Sequence, residues 1–324
     1  MPRTLTVALE LYDRHVPLFL GTVRPPESFA LDYLEVGVTK PGRDGTNRHQ
    51  LMLRDHAFDV AELSLAGYII AKASGSELTA VPVFPRRLFS QNHIYVNRQA
   101  GITSPADLAG RRVAIRAFQV TMSVLARGDL KHDYGVATEE IIWVTQRPEH
   151  LSFEGSGLKI ESAPAGRAIA DLLLKGEVEA LIDPGAPLSI LKDRDRVATL
   201  FADPRAESVA HFRRRGYYPL MHVTAIRPGI ADEFPELPAY LLSSWEEAKA
   251  ETRTALEDFA FPLAPFGHYA YEDDEAIFGE DPWPSGVRAN RQAIEDFVDY
   301  LLDQRLIPRR VAVDELFHPS VLDT

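Results

Sequence analysis

Two side chains that could do chemistry lie within the stretch FDVAELSLAGY, residues 58–68. An apolar, strand-like run at 58–61 leads into Glu62 and Ser64, and a helix-like apolar run covers 64–73. Ser64 is a residue type that caps helix N-termini, and capping alone explains its presence. A cap needs no carboxylate two residues upstream, so Glu62 is predicted to face a ligand as a general acid or base, with Ser64 beside it.

Four consecutive polar residues, Tyr12, Asp13, Arg14 and His15, follow the first predicted strand, at 4–9. Ligands of alternating α/β folds lie beyond the carboxyl ends of the strands. We therefore expect Asp13 to act as an acid or base, and Arg14 and His15 to bind the ligand. The structural alternative is a solvated turn in which Asp13 and Arg14 pair with each other.

A pair of arginines, Arg86 and Arg87, and a histidine, His93, precede the predicted strand IYVN. Arginine suits bidentate binding of carboxylates. Adjacent arginines usually split, with one turned inward and one solvated, and we expect Arg86 to turn inward. His93 has a ring that can donate a proton near neutral pH, or it is a structural histidine that bonds to backbone.

Gln119 and Thr121 lie between the predicted strand RRVAI and the helix that follows it. A helix N-terminus offers free N–H groups and a positive dipole end, which suit a carboxylate. Thr121 is equally acceptable as a plain cap. Arg116 adds positive charge nearby, whereas Arg127, farther along the helix, is expected to be solvated.

Two further polar residues end or begin apolar stretches. Asp183 ends the predicted strand EALID and precedes Pro184, so it is suited either to binding hydroxyl groups or to a simple turn. His222 lies in YPLMH, on an apolar strand. A lone histidine in such a run is more often a core residue than a catalytic one.

The sequence offers no local metal signature, because its ten histidines show no HxH or HExxH spacing. No metal ligand and no cofactor are predicted, although a divalent metal held by Glu62, His93 and His222 stays open if the fold brings these together. Gly-rich phosphate loops are absent, since GRDGTNR at 42–48 is predicted as a turn and the Gly/Ser-rich stretch 154–157 follows no strand.

Composition excludes several classes of function. The chain has 324 residues, 45% of them hydrophobic and 25% charged, as in an ordinary globular protein. It has no cysteine, so disulfides, thiolate metal sites and a cysteine nucleophile are excluded. A formal net charge of −12 argues against nucleic acid and anionic membranes as partners. The N-terminus shows no apolar leader, which predicts a cytoplasmic protein.

Strands alternate with helices in two series, which predicts an α/β fold with mixed, mostly parallel sheets and a helical C-terminal third. The series separate near residue 97 and rejoin near 205. We predict a first lobe over 1–96, a second lobe over 97–205, and a return to the first lobe over 206–324, with the ligand in the cleft. Residues 148–164 are predicted to be an irregular loop.

Residues 95–115, YVNRQAGITSPADLAGRRVAI, resemble the crossover segment of type II periplasmic binding proteins. Seven further motifs resemble the 4,5-dihydroxyphthalate decarboxylase family, whose enzymes are built on that fold. They occur in order along the chain: LYDR (11–14), FDVAELSLAGY (58–68), VPVFPRRLFSQNHIYVN (81–97), FQVTMSVLARG (118–128), YPLMH (218–222), DPWPSGVRANR (281–291) and DELF (314–317).

The resemblance implies a carboxy-lyase that decarboxylates a hydroxylated, phthalate-type aromatic acid during aromatic degradation. Arg14, Arg86 and the Gln119–Thr121 segment would hold the carboxylates. His93 or His222 would protonate the ring carbon, and Glu62 or Asp13 would accept from a ring hydroxyl.

In the implied fold the Asp183 loop faces the cleft, so Asp183 would contact the substrate too. Two positions depart from the family pattern, Phe118 and Ser285, where a Tyr is commoner. The ring substituents of the substrate therefore stay open.

The alternative class is a non-catalytic solute-binding protein for an aromatic acid, serving transport or sensing. An enzyme acting on a different carboxylated ring is a second alternative. In each case the expected partner is a small aromatic carboxylate, with no nucleic acid and no membrane, and homo-oligomer formation stays open.

Overall fold

The computed structural model describes residues 2–37, 48–149, 155 and 157–324. In these residues eleven strands form two sheets. In chain order they are β1 (Arg3–Leu9), β2 (Phe29–Glu35), β3 (Val60–Ser64), β4 (Thr79–Val81), β5 (Ile94–Asn97), β6 (Arg112–Ile115), β7 (Ile142–Thr145), β8 (Lys159–Ser162), β9 (Ala180–Ile182), β10 (Val197–Thr199) and β11 (His222–Ile226).

The first sheet has the order β2-β1-β3-β11-β4, and the second has the order β10-β5-β9-β6-β7-β8. Five of the nine pairings are parallel and four are antiparallel. The antiparallel pairings all involve β5 or β11. β5 is the first strand of the second sheet in chain order, and β11 is the strand with which the chain returns to the first sheet. The predicted mixed, mostly parallel α/β architecture is confirmed.

Twelve α-helices flank the sheets in the described residues. They are α1 (Val16–Leu20), α2 (Arg48–Asp55), α3 (Leu65–Ala73), α4 (Thr121–Tyr134), α5 (Ile169–Leu174), α6 (Leu188–Leu191), α7 (Pro204–Arg215), α8 (Ile230–Glu233), α9 (Leu237–Glu257), α10 (Gly267–Phe278), α11 (Val287–Asp303) and α12 (Val313–Leu316). None of them combines the length and the apolarity that crossing a membrane requires.

The pairing of β3 with β11 positions the polar residues of both strands. Ser64 lies opposite His222, and Glu62 lies opposite Thr224. Directly opposed residues of an antiparallel pair point to the same face, and so do residues two apart on one strand. Glu62 and His222 are therefore diagonal neighbours on one face of the sheet.

Several predicted boundaries differ from the structure. The strand predicted at 58–61 is β3 and continues through Glu62 to Ser64, because pairing with β11 carries it past the carboxylate. The irregular loop predicted over 148–164 contains β8, which extends the second sheet beside β7. Residues 42–47, 150–154 and 156, which include most of the predicted turn and half of the Gly/Ser-rich stretch, lie outside the described residues.

The lobe limits at 96 and 205 stay a prediction. β5 already belongs to the second sheet, so the chain crosses over before residue 94.

The C-terminal helix α11 packs against both parts of the molecule. Near its start, Asn290 accepts a hydrogen bond from Arg87, in the segment between β4 and β5, at 2.6 Å. Near its end, the hydroxyl of Tyr300 donates to Asp129 of α4 at 3.2 Å. Gly128 permits this approach, because a Cβ atom there would lie 2.0 Å from the Tyr300 ring. α11 therefore fastens α4 to the rest of the chain.

Candidate active site

Glu62 is a fully buried carboxylate, with 0% of its surface exposed, and both of its oxygens are occupied. Oε2 accepts from the backbone N–H of Glu10 at 3.0 Å and lies 3.2 Å from the Arg48 guanidinium. Oε1 accepts from the hydroxyl of Tyr12 at 3.1 Å and from Nδ1 of His222. No oxygen is left to meet a ligand, which differs from the expectation that Glu62 faces one.

Glu62 is ionised in this setting. Burial acts to raise the pKa of Glu62, but the charge of Arg48 and the hydrogen bond from His222 outweigh it and hold the pKa well below its usual value. A permanently charged, fully bonded carboxylate does not exchange protons with a substrate. It orients and polarises the imidazole that it binds.

His222 is the group through which Glu62 reaches the site. Its Nδ1–H donates to Glu62, so the neutral ring carries its lone pair on Nε2. Burial lowers the pKa of His222 to about 4, although Glu62 acts in the opposite direction. The sequence therefore identified both members of this pair, and the diagonal register of β3 and β11 brings them together.

His49, on α2, is a second imidazole of the site that was not predicted. Its Nδ1 accepts from the backbone N–H of Ser64 at 3.1 Å. Its ring meets the ring of His222 edge-on, with the centroids 4.9 Å apart. Burial, followed by the charge on a protonated His222, holds the pKa of His49 well below its usual value. The signal that could have pointed to His49 is the spacing of Arg48 and Met52. They are one helical turn apart and are the buried residues of α2.

Arg86 and Arg87 split, as predicted, but Arg87 is the buried member. Its guanidinium donates to the carbonyls of Tyr218 and Pro284 and to Asn290, so it is structural. Arg86 is half-buried, and its side chain forms no hydrogen bond or ion pair recorded in the described part of the chain.

The positive charge of Arg86 acts on three imidazoles. It contributes to lowering the pKa of His49, His93 and His222. Within the described part of the chain, Arg86 is therefore a cation without an ion-pair partner near the Glu62–His222 pair, where an anionic ligand would be attracted.

His93 faces the same region with an unsatisfied atom. Its Nδ1 is buried and has no hydrogen-bond partner among the residues that the structure describes. Burial, then the charge of Arg86, lowers the pKa of His93 to about 4. An unsatisfied buried nitrogen costs free energy unless a ligand or water supplies the partner. The alternative of a purely structural histidine does not account for this atom.

Ser64 and Thr121, two predicted binding residues, bond to each other. Their hydroxyl oxygens are 2.7 Å apart, and Thr121 also accepts from the backbone N–H of Ala66 at 3.2 Å. Ser64 caps α3 as predicted, accepting from the N–H of Gly67 at 3.4 Å. The contact joins β3 of the first sheet to α4.

The N–H groups before α4 hold a carboxylate of the chain itself. Phe118 and Gln119 donate their backbone N–H groups to the two oxygens of Glu149, at 2.6 and 2.9 Å. The anion at this segment is thus the carboxylate of Glu149, a residue that no local pattern in the sequence indicated.

The residues that follow β1 are arranged around Arg14. Its guanidinium donates to the carbonyl of Pro85 at 2.9 and 2.5 Å, and lies between the rings of Tyr12 and Trp283. Asp13 pairs with Arg14 at 3.0 Å, and its side chain is 55% exposed. The two also line a cavity of about 270 Å³ beside α9 and α10. Asp13 and Arg14 thus form the pair that the structural alternative described.

His15 lies away from solvent. Its Nδ1–H donates to the carbonyl of Glu10 at 2.7 Å, and its ring meets Trp245 edge-on. Burial lowers the pKa of His15 to about 4. Its contacts are those of a core histidine.

Asp183 and Arg116 bond to each other at 2.8 Å, and Asp183 also accepts from the N–H of Gly185 at 2.9 Å. These contacts are those of a turn residue, which is the structural alternative given for Asp183.

Arg127 is not solvated, so that expectation is wrong. Its side chain is 0% exposed. The guanidinium donates to Gln304 at 2.8 Å and lies over the ring of Phe118.

Among the described residues, one group has metal-like geometry, and it lies elsewhere. Asp129, Asp133 and His211 place one ligand atom each within 4.8 Å of the others. Arg215 already pairs with Asp133 at 2.5 Å, which reduces the need for a cation there. Glu62, His93 and His222 are not brought together in this way.

Two decarboxylases are similar to this chain in sequence. A 4,5-dihydroxyphthalate decarboxylase of Comamonas testosteroni is 32% identical over 330 residues, covering 99% of this chain and 98% of that protein. A second, from Pseudomonas putida, is 33% identical over 168 residues, covering 49% of this chain and 65% of that protein. No protein-family model matches the chain.

Solved structures share the fold. The aliphatic sulphonate binding protein SsuA of Escherichia coli superposes with a TM-score of 0.60 at 17% identity, covering 100% of both chains. A mutant of the desulfurization enzyme DSZB in complex with biphenyl-2-sulfinic acid gives 0.57 at 17% identity, covering 100% of this chain and 98% of that one. One fold thus serves both binding and catalysis. The Comamonas relative matches almost the whole length at 32% identity. This chain therefore belongs to the 4,5-dihydroxyphthalate decarboxylase family.

Proposed function

We propose that this protein is a carboxy-lyase that removes one carboxylate, as CO2, from a hydroxylated phthalate-type acid such as 4,5-dihydroxyphthalate. The observation that supports this best is the buried Glu62–His222 pair near the charge of Arg86, which has no ion-pair partner among the described residues. It offers an anion site and a polarised proton carrier side by side. Whole-length similarity to a decarboxylase is consistent with that use.

The reaction requires a proton on the ring carbon that carries the departing carboxylate. The bond to that carboxylate then breaks, its electron pair restores the aromatic ring, and CO2 leaves. An anionic substrate favours protonation of a nearby imidazole. In our proposal His222 takes up this proton, held by Glu62, and delivers it from Nε2. Glu62 is thus a positioning residue.

Arg86 binds the carboxylates, and His93 accepts a hydrogen bond from a ring hydroxyl at its unsatisfied Nδ1. In this scheme His93 takes the role of hydroxyl acceptor that the sequence had suggested for Glu62 or Asp13. Both oxygens of Glu62 are already bonded, and Asp13 pairs with Arg14. The scheme uses no metal. A cytoplasmic location and a role in aromatic degradation complete the proposal, while oligomeric state stays open.

The first experiment is CO2 release from 4,5-dihydroxyphthalate, with and without a chelator, for the wild type, His222→Asn and His132→Asn. Loss of a positioned proton donor lowers kcat by about 100-fold or more, so His222→Asn should fall by that factor. The exposed His132 is the matched control and should keep turnover. Wild-type turnover in His222→Asn would remove His222 from the mechanism.

The same assay separates the two classes of function. Saturable binding of the acid without CO2 release would place the protein with the solute-binding proteins that share its fold. Loss of turnover in chelator would show that a metal takes part.

A further inference from the structure

His49 has a contact pattern that the proposed mechanism does not use. It is the second residue of α2, and its Nδ1 accepts the backbone N–H of Ser64 at 3.1 Å. It stands edge-on to His222, with the ring centroids 4.9 Å apart and the planes at 70°. As a residue it is half-buried.

The backbone contact fixes the tautomer of His49. Because Nδ1 accepts a hydrogen bond, the neutral ring carries its proton on Nε2. No partner for this Nε2–H is recorded among the described residues. His222 is the opposite tautomer, since its Nδ1–H donates to Glu62. Two neighbouring rings thus offer the site one fixed donor and one proton carrier.

The neighbouring charge indicates what the donor would bind. Arg86 is a cation without a recorded partner in the described part of the chain, and its field reaches both His49 and His222. A neutral N–H donor beside a free cation suits an anionic oxygen. In an ortho-dicarboxylate the two carboxylates stand on adjacent ring carbons, so the groups that address them must also be neighbours.

We propose that His49 recognises the second, ortho carboxylate of the substrate through Nε2–H, while His222 faces the ring carbon that loses the first. His49 would then make the site selective for phthalate-type acids over benzoates. A donor is better placed on the retained carboxylate, because holding the departing one would oppose its conversion to neutral CO2. This inference rests on the proposed function.

Two substitutions separate this role from a structural one. In His49→Asn, the Asn Oδ1 takes the place of Nδ1 and keeps an acceptor for Ser64, but the Nε2–H is lost. In His49→Gln, an amide N–H takes the place of Nε2–H, while the acceptor for Ser64 is lost. His56→Asn, just past the other end of α2, is the control, because His56 is exposed and has a φ of 49°, which Asn tolerates.

The measurement is calorimetric binding of phthalate and of benzoate, neither of which carries the ring hydroxyl required for turnover. A hydrogen bond to a charged group corresponds to roughly a tenfold or greater change in Kd. His49→Asn should therefore weaken phthalate binding by about that factor and leave benzoate binding nearly unchanged. His49→Gln should retain part of the preference, and His56→Asn all of it.

Equal weakening of both ligands, or a greater loss of preference in His49→Gln than in His49→Asn, would overturn the assignment and leave His49 as an anchor for Ser64. If the wild type releases CO2 but His49→Asn keeps its preference for phthalate, only the His49 inference fails. If the wild type binds neither acid and releases no CO2, the proposed function itself fails.

Discussion

Glu62 and Arg48 are each buried without exposed surface, and each is the other's principal charge partner. Replacing Glu62 with Gln leaves the guanidinium buried with a weaker contact to Glu10 at 3.8 Å. Breaking a buried pair costs about 3–5 kcal/mol, so the free energy of unfolding should fall by about that amount. Urea denaturation measures it, and turnover should fall together with stability.

The control for this substitution is Glu161→Gln, which removes a half-exposed pair with Arg112 at 2.7 Å. Exposed pairs contribute little, so its unfolding curve should match the wild type. If Glu62→Gln changed stability no more than Glu161→Gln, Glu62 would not be the ionised partner of Arg48.

Histidines whose pKa is lowered by burial make stability depend on pH. Burial lowers the pKa of His15, His93 and His222 to about 4, below the value of about 6.5 in the unfolded chain. The unfolded state therefore binds more protons between these values, and stability falls as pH drops from about 6.5 to about 4. His15→Asn should flatten this fall. Thermal unfolding across that range tests it, and an unchanged slope would contradict the shift.

Substrate binding should reverse the shift at the site. A dianion near His222 favours its protonated form, so the pKa of His222 rises and binding takes up protons from solution near pH 6. Calorimetry of phthalate binding in two buffers of different ionisation enthalpy measures this uptake. His222→Asn should reduce the uptake, and identical enthalpies in both buffers for the wild type would exclude it.

At this scale local signals in the sequence select candidate residues but do not give their contacts. Glu62, His93, Arg86 and His222 were selectable because strand ends and adjacent charges are local signals. The partners of Glu62 were not, since Tyr12, Arg48 and His222 come from other elements. The burial of a carboxylate is decided by such distant partners, so the sequence could not show that both oxygens of Glu62 are bonded within the protein.

Among the elements, the glycine of α4 at the crossing with α11 decides how close the two helices lie. A Cβ on Gly128 would meet the rigid, buried ring of Tyr300. Overpacking of this kind costs about 1–3 kcal/mol, which exceeds the helix propensity gained. Gly128→Ala should therefore lower the urea midpoint clearly.

Gly67→Ala is the matched control, because Gly67 is also inside a helix, α3, and its Cβ would meet only the flexible end of Leu53 at 3.1 Å. Its stability should be close to that of the wild type or above it. Equal effects of the two substitutions would mean that α4 and α11 are not in close contact.

Local signals explain which elements were predicted. Ser64 caps α3, as its residue type predicted, and Gly135, in the left-handed region, ends α4. The end of β3 was predicted too early. A polar residue such as Glu62 is typical of a turn, and the pairing with β11 that extends the strand is not a local signal. Helix α7 went unpredicted although Asp203 as cap, Pro204 and Gly216 mark both its ends.

For the whole molecule, α11 sets how far the two sheets can move apart. It is anchored at Asn290 to Arg87, which lies between β4 and β5, and at Tyr300 to α4, which follows β6. Gln304, just past its end, accepts from Arg127 of α4 at 2.8 Å. The Ser64–Thr121 contact adds a second connection, between β3 and α4. Together the two connections hold α4 against the first sheet.

This arrangement predicts a protein that is already closed before substrate binds. Phthalate should therefore leave the radius of gyration of the wild type, measured by X-ray scattering, nearly unchanged. Gly128→Ala, studied below its unfolding temperature, loosens α4 from α11 and should expand the free protein, which phthalate then compacts. Compaction of the wild type by phthalate would instead show that the lobes open, and that α11 moves with α4 rather than restraining it. Water exclusion from the ring would then depend on closure, whereas in the closed protein it is built into the fold.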